Sequence, residues 1–254
     1  MEQFNPFSLS GKKIIVTGAS SGIGQRCAID ISRMGATVIM IARNRDRLAQ
    51  TLVQTEGEGN ITISADLTDF KFIPHIVESI TDAVGKVDGL VNCAGISTTL
   101  PLKLLSYEKL DEFFKANVYS AIELTREVTK VKHMNAGGSI ILFSSIMGCV
   151  GESGKSLYSM TKGALISAAR SLACELAKRQ IRVNCVSPGA IQTPINENLP
   201  HMADPEQKKL LEDKHLLGLG RTSDISSACI YLLSDASRWM TGQNLIIDGG
   251  YTAK

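Results

Sequence analysis

Along this chain, short continuous apolar runs alternate with stretches whose apolar residues recur every three or four positions. Runs of about four to eight apolar residues bounded by turns read as buried strands, and the 3.6-residue period reads as helix. The runs are Lys13-Ile14-Ile15-Val16, Thr37–Ala42, Ile61–Ala65, Val87–Val91, Ser139–Phe143, Ile181–Val186 and Leu245–Asp248. Helical periods lie between them: Ile23, Cys27, Ala28 and Ile31; Leu48 and Leu52; Ile73, Ile76, Val77 and Ile80. Two longer helices are expected, from Ser106 to about Lys132 and from about Ser156 to Lys178. Such alternation predicts one doubly wound α/β domain over residues 1–254, with about seven mainly parallel strands and helices on both faces.

Residues 192–219 break the alternation. They are polar, with Pro194, Pro200 and Pro205 and a few helical stretches. Long loops in compact domains are often lids. This one follows the C-terminal end of a strand, where doubly wound sheets bind ligands. It is therefore the expected substrate lid, a plain surface excursion being the alternative.

Composition narrows the function. Hydrophobic residues make up 44% of the chain, enough for a large core, and the formal net charge of +2 leaves no nucleic-acid footprint. No window approaches the ~20 apolar residues of a membrane span, and the first residues do not resemble a signal peptide. Cys27, Cys93, Cys149, Cys174, Cys185 and Cys229 are scattered without a C-x-x-C pair, as expected of reduced thiols in a cytoplasmic protein. His75, His133, His201 and His215 lack ligand spacing, so no metal site is expected.

Candidate chemistry begins at the first strand's end. Thr17-Gly18-Ala19-Ser20-Ser21-Gly22-Ile23-Gly24 is a tight turn opening a helix. Glycines let the backbone approach a ligand, and the helix N-terminus favours a phosphate or pyrophosphate. Tyr158 and Lys162 are spaced i, i+4, at the start of the apolar stripe Ile166, Ala169, Ala173 and Leu176. A lysine cation near a phenol lowers its pKa, and such a tyrosine can act as general acid or base. A packed tyrosine beside a snorkelling lysine has the same spacing. Ser145 ends the fifth strand, where its hydroxyl could hold a carbonyl oxygen or merely satisfy local backbone. Asn117 interrupts the stripe Leu110, Phe113, Phe114, Val118, Ala121, Thr125 and Val128, and a buried amide needs hydrogen-bond partners.

Taken together, Thr17-Gly-x-x-x-Gly-x-Gly24, Asn92-x-Ala-Gly95, Asn117, Ser145, Tyr158-x-x-x-Lys162, Pro188-Gly189-x-x-x-Thr193 and Asp248-Gly249-Gly250 resemble the short-chain dehydrogenases/reductases in order and spacing. The resemblance runs from about Gly11 to Tyr251. Within that family it is greatest to the 3-oxoacyl-carrier-protein reductases and related carbonyl reductases acting on sugars, polyols and sterols. It implies a Rossmann fold and direct hydride transfer between a nicotinamide cofactor and a ketone or secondary alcohol. It implies that Tyr158 exchanges the proton, Lys162 lowers its pKa and holds the ribose, Ser145 orients the substrate oxygen, and Asn117 anchors a water in a relay to Lys162. Asp66 and Leu67 would flank the adenine. Asn92, Ala94, Gly95, Pro188 and Gly189 would line the cofactor, and Ile191 and Thr193 would hold the carboxamide. Ser97, Met147, Val150 and Ile191 would border the substrate, together with the 194–217 segment. A homotetramer is implied, paired through the two long helices and the C-terminal strand.

Departures are informative. Cys93 replaces an asparagine of the N-N-A-G pattern, with loss of a local hydrogen bond expected. Cys174 stands where many acyl-carrier reductases have a basic residue, which weakens acyl-carrier protein as a partner. Residues 97–105 are apolar enough to shape a pocket or simply to pack. A medium-sized, partly apolar ketone or 3-oxoacyl thioester is the expected substrate. A hydroxysteroid, sugar or polyol is the alternative, and a non-catalytic nucleotide-binding regulator is the different-class rival. NAD readers place an acidic residue about 20 residues beyond the glycines. Ala42 cannot accept that bond, whereas Arg43 could pair with a 2′-phosphate. NADP(H) is therefore the expected cofactor, with NAD as the alternative should both Arg43 and Arg45 be merely solvated.

Overall fold

The computed structural model describes residues 4–193 and 204–254. Its strands are β1 (Lys13–Thr17), β2 (Thr37–Ala42), β3 (Ile61–Ser64), β4 (Val87–Asn92), β5 (Met134–Phe143), β6 (Arg182–Pro188), β7 (Ile191–Gln192), β8 (Gly220–Arg221) and β9 (Asn244–Ile247). Seven form one sheet in the order β3-β2-β1-β4-β5-β6-β9, every pair parallel. Its helices are α1 (Gly22–Arg33), α2 (Arg45–Leu52), α3 (Ile73–Val84), α4 (Tyr107–Phe114), α5 (Ser120–Val128), α6 (Ser156–Leu176), α7 (Pro205–Asp213) and α8 (Thr222–Leu233). None of the described helices is long and apolar enough to cross a membrane.

Successive strand residues point to opposite faces, and the core divides accordingly. Ile15, Ile39, Ile41, Ile140 and Leu142 pack under α3, α5 and α6. Ile14, Val16, Val38, Met40, Ile141 and Phe143 pack under α1 and α8. Burial on both faces explains why these strands read as unbroken apolar runs. The order reverses between β1 and β4, so the chain ends at Thr17 and Asn92 diverge to leave the crevice where ligands enter such sheets.

Two expectations require correction. The helix expected from Ser106 to about Lys132 is α4 and α5 joined by a π turn, Lys115–Tyr119, and it stops at Val128. Such turns insert a residue into the helical register and occur often at functional sites; this one carries Asn117. Strand β5 starts at Met134 rather than Ser139. The expected lid 192–219 is bracketed by β7 and β8, which pair in a small parallel sheet, and it contains α7 after residues 194–203, which lie outside the described residues. The helix α8 is not anticipated by the pattern above. Ile225, Cys229, Leu232 and Leu233 form its buried helical stripe.

Candidate active site at the sheet's C-terminal edge

The turn after β1 is built around contacts only glycine permits. A Cβ on Gly24 would lie 2.4 Å from the Gly18 carbonyl oxygen, and one on Gly18 would lie 3.1 Å from Ala94 Cα. Gly18 and Gly22 adopt φ of +68° and +57°. The Thr17 hydroxyl accepts the Ala94 N–H at 3.0 Å and donates to the Val91 carbonyl, locking the turn onto the end of β4. Ser20, Ser21 and Ile23 are half-buried around it. Ser21 provides no side-chain cap for α1, and no acidic residue occupies its first turn. The first N–H groups and the positive dipole end therefore remain available to an anion. Thr193 borders the turn, its methyl 3.5 Å from the Cβ position of Gly22. This cradle fits the pyrophosphate of a dinucleotide.

Beside it the chemistry-bearing residues converge. Lys162 is 5% exposed and donates to the Phe143 carbonyl at 2.8 Å. Its Nζ stands 5.5 Å from the Tyr158 ring centroid and 3.5 Å from the Cβ position of Gly95. The Ser144 hydroxyl donates to the Lys162 carbonyl at 2.8 Å, fastening α6 to the end of β5. Ser145 accepts the Met147 N–H at 3.2 Å. Burial pushes the Tyr158 phenol up to about 12, opposed by a hydrogen bond with Ser145. Burial also pushes Lys162 down to about 8, so it remains mostly charged at neutral pH. The expected lowering of the phenol by Lys162 is not seen: desolvation sets the direction, and the opposing pull comes from Ser145.

Asn117 is buried, and both hydrogens of its amide are engaged. Oδ1 accepts the Ile96 N–H at 2.7 Å, while Nδ2 donates to the Ile96 carbonyl at 2.9 Å and to Thr161 Oγ1 at 3.1 Å. The amide thus clasps the loop after β4 as a neighbouring strand would. Buried Asn92 donates to Thr125 Oγ1 at 3.1 Å, tying β4 to α5.

Other expected residues lie around this centre. Arg43 is exposed at the end of β2, and among the described residues its side chain joins no ion pair. Asp66 accepts the N–H and hydroxyl of Thr68, which lowers its pKa, with Arg43 adding a weaker pull; Leu67 is buried. Pro188 ends β6, and the Gly189 N–H donates to the Ile247 carbonyl. Ile191 and Thr193 are buried.

Among the described residues, two of the expected substrate residues border different cavities. Val150 lines one of about 430 Å³ with Pro101, Leu102, Glu152, Ser156 and Ser159. Ile191 borders a second, of about 170 Å³. Met147 is 7% exposed, whereas Ser97 is exposed. The apolar 97–105 loop does not pack inward: Leu102 is 74% and Leu104 58% exposed.

Sequence reasoning missed His215. It is buried at the end of α7, with Nδ1 2.8 Å from the Leu211 carbonyl and Nε2 accepting the Ala190 N–H at 3.1 Å. A carbonyl cannot donate, so Nδ1 carries the proton and the ring is neutral. Its ring also meets Tyr251 at 4.9 Å between centroids. A lone histidine in a polar segment carries no signal of such a role.

Comparison with known proteins agrees with this geometry. A family model described as Enoyl-(Acyl carrier protein) reductase matches residues 18–252. The 3-oxoacyl-acyl-carrier-protein reductase FabG of Thermotoga maritima is 34% identical over 244 residues, covering 95% of this chain and 98% of that one. The L-rhamnose 1-dehydrogenase (NAD(P)(+)) of a Sphingomonas species is 33% identical, covering 95% and 96%. A solved short-chain dehydrogenase/reductase from Serratia marcescens superposes with a TM-score of 0.88 at 30% identity, covering 98% and 100%. A Rossmann-like parallel sheet with these motifs at its edge, matched across nearly the whole length, means that the chain belongs to the short-chain dehydrogenase/reductase family of oxidoreductases.

Proposed function

We propose that this protein reduces a ketone to a secondary alcohol, or runs the reverse reaction, with NADP(H). The observation that carries this reading is the convergence of Tyr158, Ser145 and Lys162 beside the glycine turn. Thr17, Gly18, Ser20, Ser21, Gly22, Ile23 and Gly24 would hold the pyrophosphate; Asp66 and Leu67 the adenine; Asn92, Ala94, Gly95, Pro188, Gly189, Ile191 and Thr193 the nicotinamide half. When bound, the cofactor supplies or accepts the hydride. Ser145 orients the carbonyl oxygen, Tyr158 delivers its proton, and charged Lys162 favours the phenolate left behind. Both Asn117 amide hydrogens are taken, so a relay water to Lys162 would donate, to Asn117 Oδ1 or to a backbone carbonyl of the π turn.

A partly apolar ketone or 3-oxoacyl thioester is the favoured substrate, supported by the FabG relative and by Leu102 and Val150 at the cavity edge. Glu152, Ser156 and Ser159 on the same cavity favour a second reading, a hydroxylated substrate such as a sugar or polyol. NADP(H) preference rests on exposed Arg43 and on Ala42, which cannot bind ribose hydroxyls. The test is steady-state turnover of a ketone and sugar panel with NADPH and NADH. Ketone-dependent NADPH oxidation is expected, with the preference for NADPH reduced in Arg43→Ala. No turnover with any compound would favour the regulatory rival. Equal efficiency with NADH, unchanged in Arg43→Ala, would overturn the cofactor assignment.

A cytoplasmic homotetramer completes the reading. Exposed Tyr107, Tyr119 and Met160 on α4, the π turn and α6, and Ile246 on the edge strand β9, support two self-association faces. Light scattering at micromolar concentration is expected to give four times the chain mass of 27.3 kDa; monomer alone would refute it.

A further inference from the structure

Between the tyrosine and lysine of Tyr158-Ser159-Met160-Thr161-Lys162, the residue at 161 has no part in the chemistry described so far. Thr161 is 0% exposed. Its hydroxyl donates to the Tyr158 carbonyl at 2.8 Å and accepts Asn117 Nδ2 at 3.1 Å. Both roles of the hydroxyl are fixed, because a carbonyl can only accept and an amide NH₂ can only donate. The Asn117 amide in turn grips both backbone groups of Ile96. A continuous buried chain of hydrogen bonds thus runs from the loop after β4, through the π turn, to the backbone of Tyr158.

We propose that Thr161 is a positioning residue for Tyr158. This rests on the reading of Tyr158 as the proton donor. In the first turn of α6, Leu157 is buried and the Lys155 ammonium donates to the Thr98 carbonyl, but neither contact holds the Tyr158 backbone, and Ser156 and Ser159 border the cavity. Ser144 fastens the next turn through the Lys162 carbonyl. Thr161 alone among the described contacts joins the tyrosine's own backbone to the π turn that carries Asn117. It sets how far the phenol reaches toward Ser145, and a displacement of about 1 Å can cost on the order of a hundredfold in rate.

The test separates a threonine needed for shape from one needed for its hydroxyl. Thr161→Val keeps the shape, Thr161→Ser keeps the hydroxyl, and Thr161→Ala serves should valine disturb folding. In protein labelled with ¹³C at tyrosine Cζ, the Tyr158 resonance is identified by its absence from Tyr158→Phe. In Thr161→Val this resonance is expected to shift and kcat to fall about ten- to a hundredfold. The KM for NADPH should stay within about twofold, the mark of an interaction not used in ground-state binding. Thr161→Ser restores both. An unmoved resonance in Thr161→Val, or a serine variant as impaired as the valine one, would overturn the proposal. Should Tyr158→Phe itself retain turnover, the catalytic reading falls, while the resonance still decides whether Thr161 places the ring.

Discussion

Tyr158→Phe is expected to lose turnover by at least ~10²–10⁴-fold, the contribution typical of a positioned acid–base group. The substitution removes one hydroxyl from a ring whose packing is unchanged, so the fold and its melting temperature should persist. NADPH binding should change little, because Lys162 and the glycine turn remain. The phenol's own setting argues for this split. Burial holds it protonated up to about 12, so it enters a reduction carrying the proton to be donated. Lys162→Ala is the contrasting variant, since losing the ammonium should weaken cofactor binding as well as turnover. Steady-state reduction of the best ketone, beside NADPH binding by fluorescence, checks both. A folded Tyr158→Phe with near wild-type turnover would show that the proton comes from elsewhere.

The second large effect lies at Gly24. Alanine there would place a Cβ 2.4 Å from the Gly18 oxygen and 2.7 Å from its carbonyl carbon. Those are backbone atoms, so relief requires the turn itself to move. Overpacking of this kind costs about 1–3 kcal/mol, a fall in Tm of several degrees for a chain this long. Displacing the turn also spoils the N–H array at the start of α1. NADPH affinity is expected to fall by about a hundredfold, roughly 2.7 kcal/mol. Titration of Gly24→Ala with NADPH reads this directly, and wild-type affinity in that variant would show that the turn does not hold the cofactor.

The strands were legible because parallel strands buried on both faces carry no alternation to blur them. Thr37–Ala42 is read from sequence with the ends that the structure shows. The glycine turn and Tyr158 with Lys162 were legible for a related reason: their spacing is set by local geometry, a tight turn or one turn of helix. What escaped depends on distant partners. The π turn exists where Asn117 must reach Ile96, and nothing within residues 115–119 announces that bond. The β7–β8 pair is too short for a pattern, and α8 begins with serines. Thr161 was hidden as an unspecified letter between two conspicuous ones. The burial of the expected substrate residues was the least legible, because Met147 is buried while Ser97 is exposed, and loop composition decides neither.

His215 gives the molecule a division of labour. The neutral ring fastens the end of α7 to the backbone after β6, not to β5 or α6, where proton transfer would take place. The segment around α7 and the groups proposed to move a proton are therefore hung from different strands. Sequence can therefore drift around α7 while the arrangement of Ser145, Tyr158 and Lys162 is kept. The imidazole is the joint at which that separately variable part is attached.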